Sequence, residues 1–411
     1  METKSWWQKL SNNPLARLGA VVLIVFYILV IFGDIVAPYQ PLSQQSSGSL
    51  LPPTQIHWRS HEPGQNSGRL IGPHVYPTIQ GPVDLDTGKQ ELEIDFSRPA
   101  PLGFFVKGVD YRLFKLSLPI ITNLSIEDQF GFEERELFKG IPGNIHLFGT
   151  TGPNSPSQFD FEPVENETPE AVETVPAYFN LLGTDSSARD LFSRLVYGGR
   201  ISLSIGLVGI AISFPLGMLV GGISGYFGGA VDAVLMRIVE VIMTIPSIYL
   251  LISLSVILPL GLTSSQRFLL IVIIISFINW AGLARIIRGE VLSLKERTFV
   301  QASESMGGRS LHIILRHILP QTATYVIISA TLAIPGYIVA EAVLSLIGLG
   351  IQEPDPSWGN MLSAGTNATI LVLNPWIIWP PAILIVITVL CFNILGDGLR
   401  DALDPRSLQE R

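Results

Sequence analysis

The chain has 411 residues, of which 48% are hydrophobic and only 15% are charged, and its mean hydropathy is +0.43. Soluble globular proteins carry roughly a quarter charged residues, so this balance predicts a protein solvated largely by lipid. The net charge of -8 arises in residues 39–200, which hold 12 Lys and Arg against 20 Asp and Glu. No basic stripe suggests a nucleic-acid partner. The single cysteine, Cys391, excludes an intramolecular disulfide and disfavours a metal cluster.

Six apolar runs are long enough to cross a membrane, which takes about 20 residues because ~30 Å of hydrocarbon is crossed at ~1.5 Å per residue. The first run has a secretory signal peptide as its alternative, but it is long for one and no small-x-small cleavage site precedes Pro38. The sequence therefore predicts an all-α polytopic membrane bundle of about six transmembrane helices. These spans one to six are Leu15–Val36, Ile201–Ser224, Val234–Leu258, Phe268–Ile287, Ala323–Leu349 and Trp376–Leu395.

Basic residues in short loops indicate the cytoplasmic side of a membrane protein. The loop between spans five and six has no basic residue, only Glu353 and Asp355. Arg189, Arg194 and Arg200, just before span two, run against the rule, but long loops are translocated largely regardless of charge. Both termini are therefore expected in the cytoplasm. With the N-terminus in the cytoplasm, most of the basic residues near the spans lie on the cytoplasmic side, as the rule requires. They are Arg237, Arg285, Arg288, Lys295, Arg297, Arg309, Arg316, Arg400, Arg406 and Arg411.

Small residues in span two predict close helix packing. Gly217, Gly221 and Gly225 recur at four-residue spacing, which places them on one face of a helix. Glycine on such a face lets two backbones approach where lipid supplies no hydrophobic driving force. At the outer end of span six, Trp376 and Trp379 are typical of an aromatic belt at the membrane surface.

Residues 39–178 differ in character, being rich in Pro, Gly, Asn, Ser and acid, and are predicted to form a small β-rich insert outside the membrane. Leu92–Phe96 alternates apolar and charged residues, as a strand does. Phe104–Val106 and Tyr111–Phe114 flank Lys107–Asp110, which predicts a hairpin.

The first part of this insert, residues 43–82, has few apolar residues and is expected to be largely irregular. The histidines of the insert are too scattered to indicate a metal site and are interpreted as solvated loop residues. They are His57, His61, His74 and His146.

The loop 289–320, between spans four and five on the cytoplasmic side, carries the most specific signal. Ala302 and Ser303 are small, and Gly307 can end a helix and admit a tight turn. The pattern predicts a short helix, a glycine turn and a second, amphipathic helix lying along the membrane. Such an element can dock as a knob into a groove on a cytoplasmic partner. The alternative is an ordinary connector, but the loop is longer than a simple turn requires.

This segment resembles the EAA motif of permeases in binding-protein-dependent ABC importers. Ala302, Gly307 and Ile318–Pro320 match the motif, whereas Gln301 replaces its usual first Glu and Ser303 its second Ala. These departures keep the small, docking-compatible surface but put in doubt any salt bridge that the first Glu would make.

Further segments resemble the C-type permease subunits of dipeptide, oligopeptide and nickel ABC importers. Leu182–Asp185 with Arg189-Asp190 and Ser193-Arg194 is similar to their GTDxxGRDxxSR segment, with Ala188 where the family usually has Gly. The other similar segments are Gly225–Gly229, Ala340–Ser345, Pro356–Met361, Asn393–Asp401 and Leu403–Arg406.

The resemblance implies the type I ABC importer permease fold in a bacterial inner membrane. It implies a heterodimer with a homologous permease, two cytoplasmic ATPase subunits that bind the ATP, and a periplasmic substrate-binding protein. No cofactor, metal or catalytic residue is expected on this chain, which also lacks a G-x-x-x-x-G-K-[ST] loop. The residues that would couple to the ATPases are Gln301, Ala302, Ser303, Glu304 and Gly307.

The expected organisation is a cytoplasmic N-terminus with span one in residues 1–38, the insert in 39–178, and a five-helix permease core in 179–411. Peptide is the expected substrate, on the resemblance alone. Nickel chelates and oligosaccharides are the alternatives within the same class of importer.

Two carboxylates lie within the apolar runs, where a charge costs about 2.5–3.5 kcal/mol on insertion scales and needs a partner or water. Glu240 follows Arg237 by three residues near the cytoplasmic end, which favours an interfacial ion pair. Glu341 lies deeper, after Pro335 and Gly336, and either lines the translocation path or makes structural hydrogen bonds. Both are candidate path residues.

Two rival functions predict features that this sequence lacks. A secondary transporter or channel would usually show inverted repeats or several buried ionisable groups, and neither is evident. A membrane-anchored enzyme would need a catalytic motif in the insert, but the insert has no Gly-x-Ser-x-Gly, His-Glu-x-x-His or paired-cysteine motif.

Overall fold

A computed structural model of the chain describes residues 6–45, 48–60, 68–83, 90–123, 131–156, 175–259 and 262–403. Its helices are α1 Trp6–Asn12, α2 Pro14–Ile31, α3 Gly33–Val36, α4 Leu191–Phe227, α5 Gly229–Thr244, α6 Ser247–Val256, α7 Ser264–Leu294, α8 Thr298–Ser305, α9 Ser310–Ile313, α10 Ala323–Leu346, α11 Trp358–Leu362, α12 Ala368–Leu373 and α13 Trp379–Leu403. Its strands are β1 His57–Arg59, β2 Leu70–Val75, β3 Thr78–Val83, β4 Gln90–Ile94, β5 Ala100–Leu113, β6 Leu116–Asn123, β7 Gly131–Phe138 and β8 Ile141–Thr150.

Five of the described helical segments are long and apolar enough to cross a membrane, and they coincide with predicted spans one, two, four, five and six. Predicted span three, Val234–Leu258, is instead two helices, α5 and α6, which bend by 84°. The break falls at Ile245-Pro246, where Ile245 has the extended angles φ −82° and ψ 125°. Proline lacks an N–H group and disfavours the helical conformation of the residue before it, so predicted span three is either one broken span or a re-entrant loop.

The largest apolar core of the described bundle joins all five unbroken spans. Leu23 of α2, Leu203 of α4, Ile275 of α7, Ile338 of α10 and Phe392 of α13 belong to this one buried cluster. A second cluster lies nearer the loop 289–320 and is described with the candidate site.

The glycine face of span two does bring two backbones together, as predicted. A Cβ atom placed on Gly217 would lie 2.9 Å from the carbonyl oxygen of Trp280, and one on Gly221 would lie 2.5 Å from that of Ala284. One on Gly225 would lie 2.8 Å from a carbonyl oxygen of the same helix, α7. Side chains at these positions would therefore push α4 away from α7.

The insert is β-rich, as predicted, with a four-stranded antiparallel sheet in the order β1-β2-β5-β8 and two hairpins, β3-β4 and β6-β7. β4 confirms a strand at the start of Leu92–Phe96 but ends at Ile94, so Asp95 and Phe96 lie beyond it. The predicted hairpin at Lys107–Asp110 is wrong, because this stretch lies inside the single long strand β5. There the register with β8 shifts between Lys107 and Tyr111, so a bulge stands where a turn was expected.

The expectation of an irregular stretch at residues 43–82 is wrong where the structure describes strands, which are β1, β2 and most of β3. Two histidines expected in solvated loops are buried. His74 Nδ1 lies 2.8 Å from the carbonyl oxygen of Gly72, and His146 Nδ1 lies 2.6 Å from that of Ala37. His146 thereby ties β8 to the end of span one, and His61 lies outside the described residues.

The two ends of the insert are joined to each other beside the bundle. The side-chain amides of Gln45 and Asn180 exchange two hydrogen bonds of 2.8 and 2.9 Å. The N–H of Thr54 donates to the carbonyl of Asn180 over 2.9 Å, and the N–H of Leu51 donates to Thr184 Oγ1 over 2.7 Å. The chain segments that lead into and out of the insert are therefore hydrogen bonded to each other.

Candidate functional site

The loop 289–320 forms the short helix and glycine turn that the sequence predicts. α8 runs from Thr298 to Ser305, and Gly307 follows with φ +80°, a conformation that glycine adopts without strain. The N–H of Gly308 donates to the carbonyl of Ser303 over 3.0 Å, and that of Gly307 to Glu304 over 2.9 Å. These two bonds form a Schellman motif, which fixes where α8 ends.

The inner side of α8 is held by a buried apolar cluster. Val300 of α8 and Ile313 of α9 are fully buried, and they pack with side chains of spans two and four. α8 is therefore fixed to the bundle at its base and does not hang as a free loop. The fully or nearly buried members of this cluster are Phe214, Leu283, Ile287, Val291, Val300, Ile313, Ile314, Ile318 and Leu319.

The outer side of α8 brings four of the five predicted coupling residues together. Gln301, Ala302, Glu304 and Gly307 are exposed, whereas Ser303 is buried and faces the bundle. Next to them Met306 has 83% of its surface exposed, the largest fraction among the exposed large hydrophobic residues described. We call Gln301, Ala302, Glu304, Ser305, Met306 and Gly307 the α8 ridge.

One hydrogen bond connects the ridge to span two. The hydroxyl of Tyr226, one residue before the end of α4, donates to Glu304 Oε1 over 2.8 Å. Tyr226 was not among the predicted coupling residues, although it lies in a segment that resembles the family, Gly225–Gly229. This hydrogen bond links the ridge to the end of span two that lies nearest the loop 289–320.

The second helix of the loop differs from the prediction. A helix lying along the membrane was expected, but the helix that starts at Ser310 continues to Leu346 as one 37-residue segment. It passes through a π-helical turn at Ile314–Ile318 and a 3-10 turn at Leu319–Thr322. Pro320 cannot donate a helical hydrogen bond, and these altered turns carry the helix past it into span five.

Glu341 is fully buried in a set of serine hydroxyls between spans two and five. Ser345 Oγ donates to Glu341 Oε1 over 2.6 Å, and Ser202 Oγ lies 3.5 Å from Oε2. Ser202 Oγ also accepts from the N–H of Trp358 over 3.1 Å, so the set reaches α11. Hydrogen bonding of this kind is the structural alternative that the sequence left open for Glu341.

Glu240 makes the ion pair that its spacing predicts. Arg237 Nη1 lies 3.3 Å from Glu240 Oε2 on α5, and both side chains are exposed on the chain by itself.

A neutral cavity of about 420 Å³ lies between α4, α6, α7 and α10. No charged side chain is among the described residues that line it, and its polar groups are hydroxyls and one amide. Neither Glu240 nor Glu341 lines this cavity. The polar lining residues are Ser247, Asn279, Tyr325, Ser329 and Tyr337.

A partly buried charge cluster, which was not predicted from the sequence, lies at the opposite end of the bundle, with its arginines buried and Glu353 exposed. Arg189 Nη1 and Arg194 Nη2 lie 2.5 and 2.9 Å from the two carboxylate oxygens of Glu353. Asp185 Oδ2 lies 2.8 Å from Arg189 Nε and 3.4 Å from Arg194 Nε. Two of the three arginines that run against the positive-inside rule are therefore neutralised in this cluster, and the third, Arg200, pairs with Asp34. The sequence did contain a signal for this cluster, because the loop that holds Glu353 has acidic residues and no basic residue that could pair with them.

Two family models match parts of this chain. The family model for the binding-protein-dependent transport system inner membrane component matches residues 214–409, and that for the N-terminal TM domain of oligopeptide transport permease C matches residues 3–53. A solved structure of the MetNI methionine ABC transporter in an inward-facing conformation covers 52% of this chain and 98% of its own, at 21% identity and a TM-score of 0.39.

Curated relatives are much more similar in sequence. The chain is 43% identical over 248 residues to the oligopeptide transport system permease protein OppC of Haemophilus influenzae. This alignment covers 60% of this chain and 77% of the relative. It is 42% identical over 231 residues to the dipeptide transport system permease protein DppC of Bacillus subtilis, covering 56% and 70%. The chain therefore belongs to the family of binding-protein-dependent transport system inner membrane components, as a C-type ABC importer permease of the inner membrane.

Proposed function

We propose that this permease imports peptides and forms one half of their path across the membrane. A homologous permease would form the other half, two cytoplasmic ATPase subunits would supply the energy, and a periplasmic binding protein would deliver the peptide. Relatives named for oligopeptide and dipeptide transport, at 43% and 42% identity, support peptides over nickel chelates or oligosaccharides. Both termini would lie in the cytoplasm, on the side of the α8 ridge.

The α8 ridge carries the proposal that ATP hydrolysis on the partner drives this chain. It is an exposed surface ended by a fixed turn and supported from below by the buried side chains of Val300 and Ile313. A rigid ridge seated in a groove of an ATPase would move with that subunit. Because the ridge is joined to span two through Tyr226 and continues into span five, closure of the ATPases would tilt both spans.

The neutral cavity between α4, α6, α7 and α10 is the proposed contact surface for the peptide. Its hydroxyls and the amide of Asn279 can donate to and accept from the peptide backbone, which every peptide shares. A path without fixed charge would accept side chains of either sign, as transport of mixed peptides requires. That Glu240 and Glu341 belong to the path is still a hypothesis. The contacts that the structure shows for both residues have a structural role.

The test is uptake by the assembled importer in proteoliposomes, made from this chain and its co-encoded subunits. We expect ATP-dependent, saturable uptake of a radiolabelled tripeptide with the binding protein present. Uptake of a nickel chelate or an oligosaccharide, with none of the peptide, would contradict the substrate. Uptake of peptide without ATP would contradict the energy source.

A further inference from the structure

A set of exposed apolar side chains lies at one end of the insert, where β5, β7 and β8 meet. Strand pairing brings them together, since Leu113 is the partner of Ile141 and Leu116 is the partner of Phe138. Each of these side chains has between 41% and 54% of its surface exposed. An apolar patch on a water-exposed unit marks a contact with a membrane or with another molecule. These residues, which we call the insert tip, are Phe114, Leu137, Phe138 and Ile141.

The strand pair β5-β8 runs from the start of α4 to the end of span one. At one end of the pair, Phe148 contacts Phe192, the second residue of α4, with ring centroids 5.5 Å apart. At the other end, Phe114 contacts Phe32, which caps span one, with ring centroids 5.6 Å apart. Arg200, which lies about 12 Å further along α4 than Phe192, hydrogen bonds to the last turn of span one. The insert tip is therefore the end of this strand pair that lies nearest the membrane.

The insert tip continues the exposed apolar surface of span one. Ile31 and Phe32, at the end of that helix, have 48% and 39% of their surfaces exposed. The helix is long and apolar enough to cross a membrane, so lipid is the solvent for such a surface. Phe114 reaches this surface with φ +62°, a left-handed conformation that a bulky residue rarely adopts.

The charges around the insert tip do not select its partner, because they are paired or balanced. Lys115 Nζ lies 3.3 Å from Glu136 Oε1, and both side chains are about half exposed. The continuity with span one therefore identifies the partner as lipid. The depth is limited by β8, which is at the edge of the four-stranded sheet, because an open sheet edge is not tolerated in hydrocarbon.

We propose that the insert tip enters the surface of the lipid bilayer beside span one and anchors the insert there. Phe114, Phe138 and Ile141 would lie at the boundary between headgroups and acyl chains, about 5–10 Å deep, as other interfacial apolar faces do. Lys115 and Glu136 would stay among the headgroups. The anchor would fix the orientation of the sheet relative to the membrane, and it does not depend on which substrate the permease carries.

The test is the depth of nitroxide labels on the assembled importer in nanodiscs of phosphatidylethanolamine and phosphatidylglycerol. Cys391→Ala removes the single cysteine, and Phe138→Cys or Ile141→Cys then supplies the site for the label. Oxygen concentrates in the bilayer and the Ni(II)-EDDA complex stays in water, so the collision rates measured by electron paramagnetic resonance report depth. We expect both labels to collide more with oxygen than with the nickel complex.

The matched control for the label is Phe104→Cys. Phe104 lies on β5 with 79% of its surface exposed, at the end of the strand pair away from the insert tip, and its label should collide more with the nickel complex. Phe114→Ser removes the contact with span one and should shift the Phe138→Cys label towards water. Phe105→Ser should not shift it, although Phe105 is also an exposed phenylalanine with a positive φ.

Two outcomes overturn the proposal. If the labels at Phe138 and Ile141 collide more with the nickel complex, as at Phe104, the insert tip lies in water. If both labels are shielded from oxygen and from the nickel complex, another subunit covers the insert tip instead of lipid. The labelled side chains are exposed, so we expect the variants to fold, and the two label sites are measured independently.

Discussion

At the scale of single residues, Asp190 is the most perturbed carboxylate outside the spans. It lies just before α4, where Oδ2 accepts from the N–H of Ser193 over 2.7 Å, while Oδ1 is buried without a partner among the described residues. Burial raises the pKa of Asp190 to about 7, against the opposing effect of the hydrogen bonds at the helix start.

The raised pKa of Asp190 predicts how stability depends on pH. The unfolded carboxyl titrates near 3.8, so between about pH 4 and pH 7 the folded chain binds more protons than the unfolded one. The contribution of Asp190 to the free energy of unfolding is on the order of a few kcal/mol. It is fully present below pH 4 and is lost as the pH rises through 7. Asp190→Asn should flatten this part of the curve when thermal midpoints are measured in detergent from pH 4 to 8.

The matched control is Asp95→Asn in the insert. A hydrogen bond from Ser97 and the guanidinium of Arg98 lower the pKa of Asp95, so its contribution has the opposite sign and is lost as the pH falls. If the thermal midpoint of Asp190→Asn changes with pH as that of the unchanged chain does from pH 4 to 8, burial does not raise the pKa of Asp190 as assigned.

Glu341 carries a second prediction at this scale. Glu341→Ala leaves the hydroxyls of Ser345 and Ser202 without their acceptor, which costs roughly 1–3 kcal/mol, and should lower peptide uptake without abolishing assembly. Glu341→Gln keeps an acceptor oxygen and should assemble normally, so its uptake reports the role of the acid itself. Unchanged uptake by both variants would remove Glu341 from the path.

At the scale of elements, the turn after α8 restricts most strictly which residue can occupy a position. Gly307 has φ +80° with open space around its Cα atom, so the only cost of a side chain there is backbone strain. Gly307→Ala should cost about 1–2 kcal/mol at the turn and displace the α8 ridge. We expect peptide uptake per ATP hydrolysed to fall. Gly289→Ala on α7, which also has open space but no positive φ, is the control and should transport normally.

How far the elements could be predicted depended on the range of the interaction. The apolar runs, the glycine face of span two and the turn at Gly307 follow from local spacing, and the structure confirms them. The break at Pro246 was readable in principle, since proline disfavours helix at the residue before it. The strand through Lys107–Asp110 was not readable, because its pairing with β8 depends on residues some 40 positions later.

At the scale of the whole molecule, the charge cluster shows why part of the site escaped sequence reasoning. Arg189 and Glu353 are 164 residues apart in the chain, and only the folded bundle brings the start of α4 next to the loop that follows α10. The buried histidines escaped for the same reason, since the acceptor for His146 is Ala37, 109 residues away. The coupling residues were found because their signal is confined to one loop.

The insert can be tested as a unit because its ends meet. Thr54 and Asn180 are hydrogen bonded, so residues 57–176 can be replaced by a short Gly-Ser linker without stretching the chain. From its position and its acidity we expect the insert to brace the periplasmic binding protein on the outer surface. The replacement should then leave membrane insertion and permease assembly unchanged, with weaker docking of the binding protein and lower uptake. Full docking and uptake after the replacement would refute it. Surface plasmon resonance on nanodiscs measures the docking.

The central claim is that the α8 ridge takes up the force of a partner ATPase. Ala302→Trp places a bulky side chain on the exposed face of the ridge, and Ile327→Trp, on an exposed face of span five, serves as the control. The decisive measurement is ATP-driven tripeptide uptake by the assembled importer, with the amount of co-purified ATPase recorded for each variant. The account predicts loss of uptake and of bound ATPase for Ala302→Trp, and neither loss for Ile327→Trp. Full ATP-driven uptake by Ala302→Trp would contradict it.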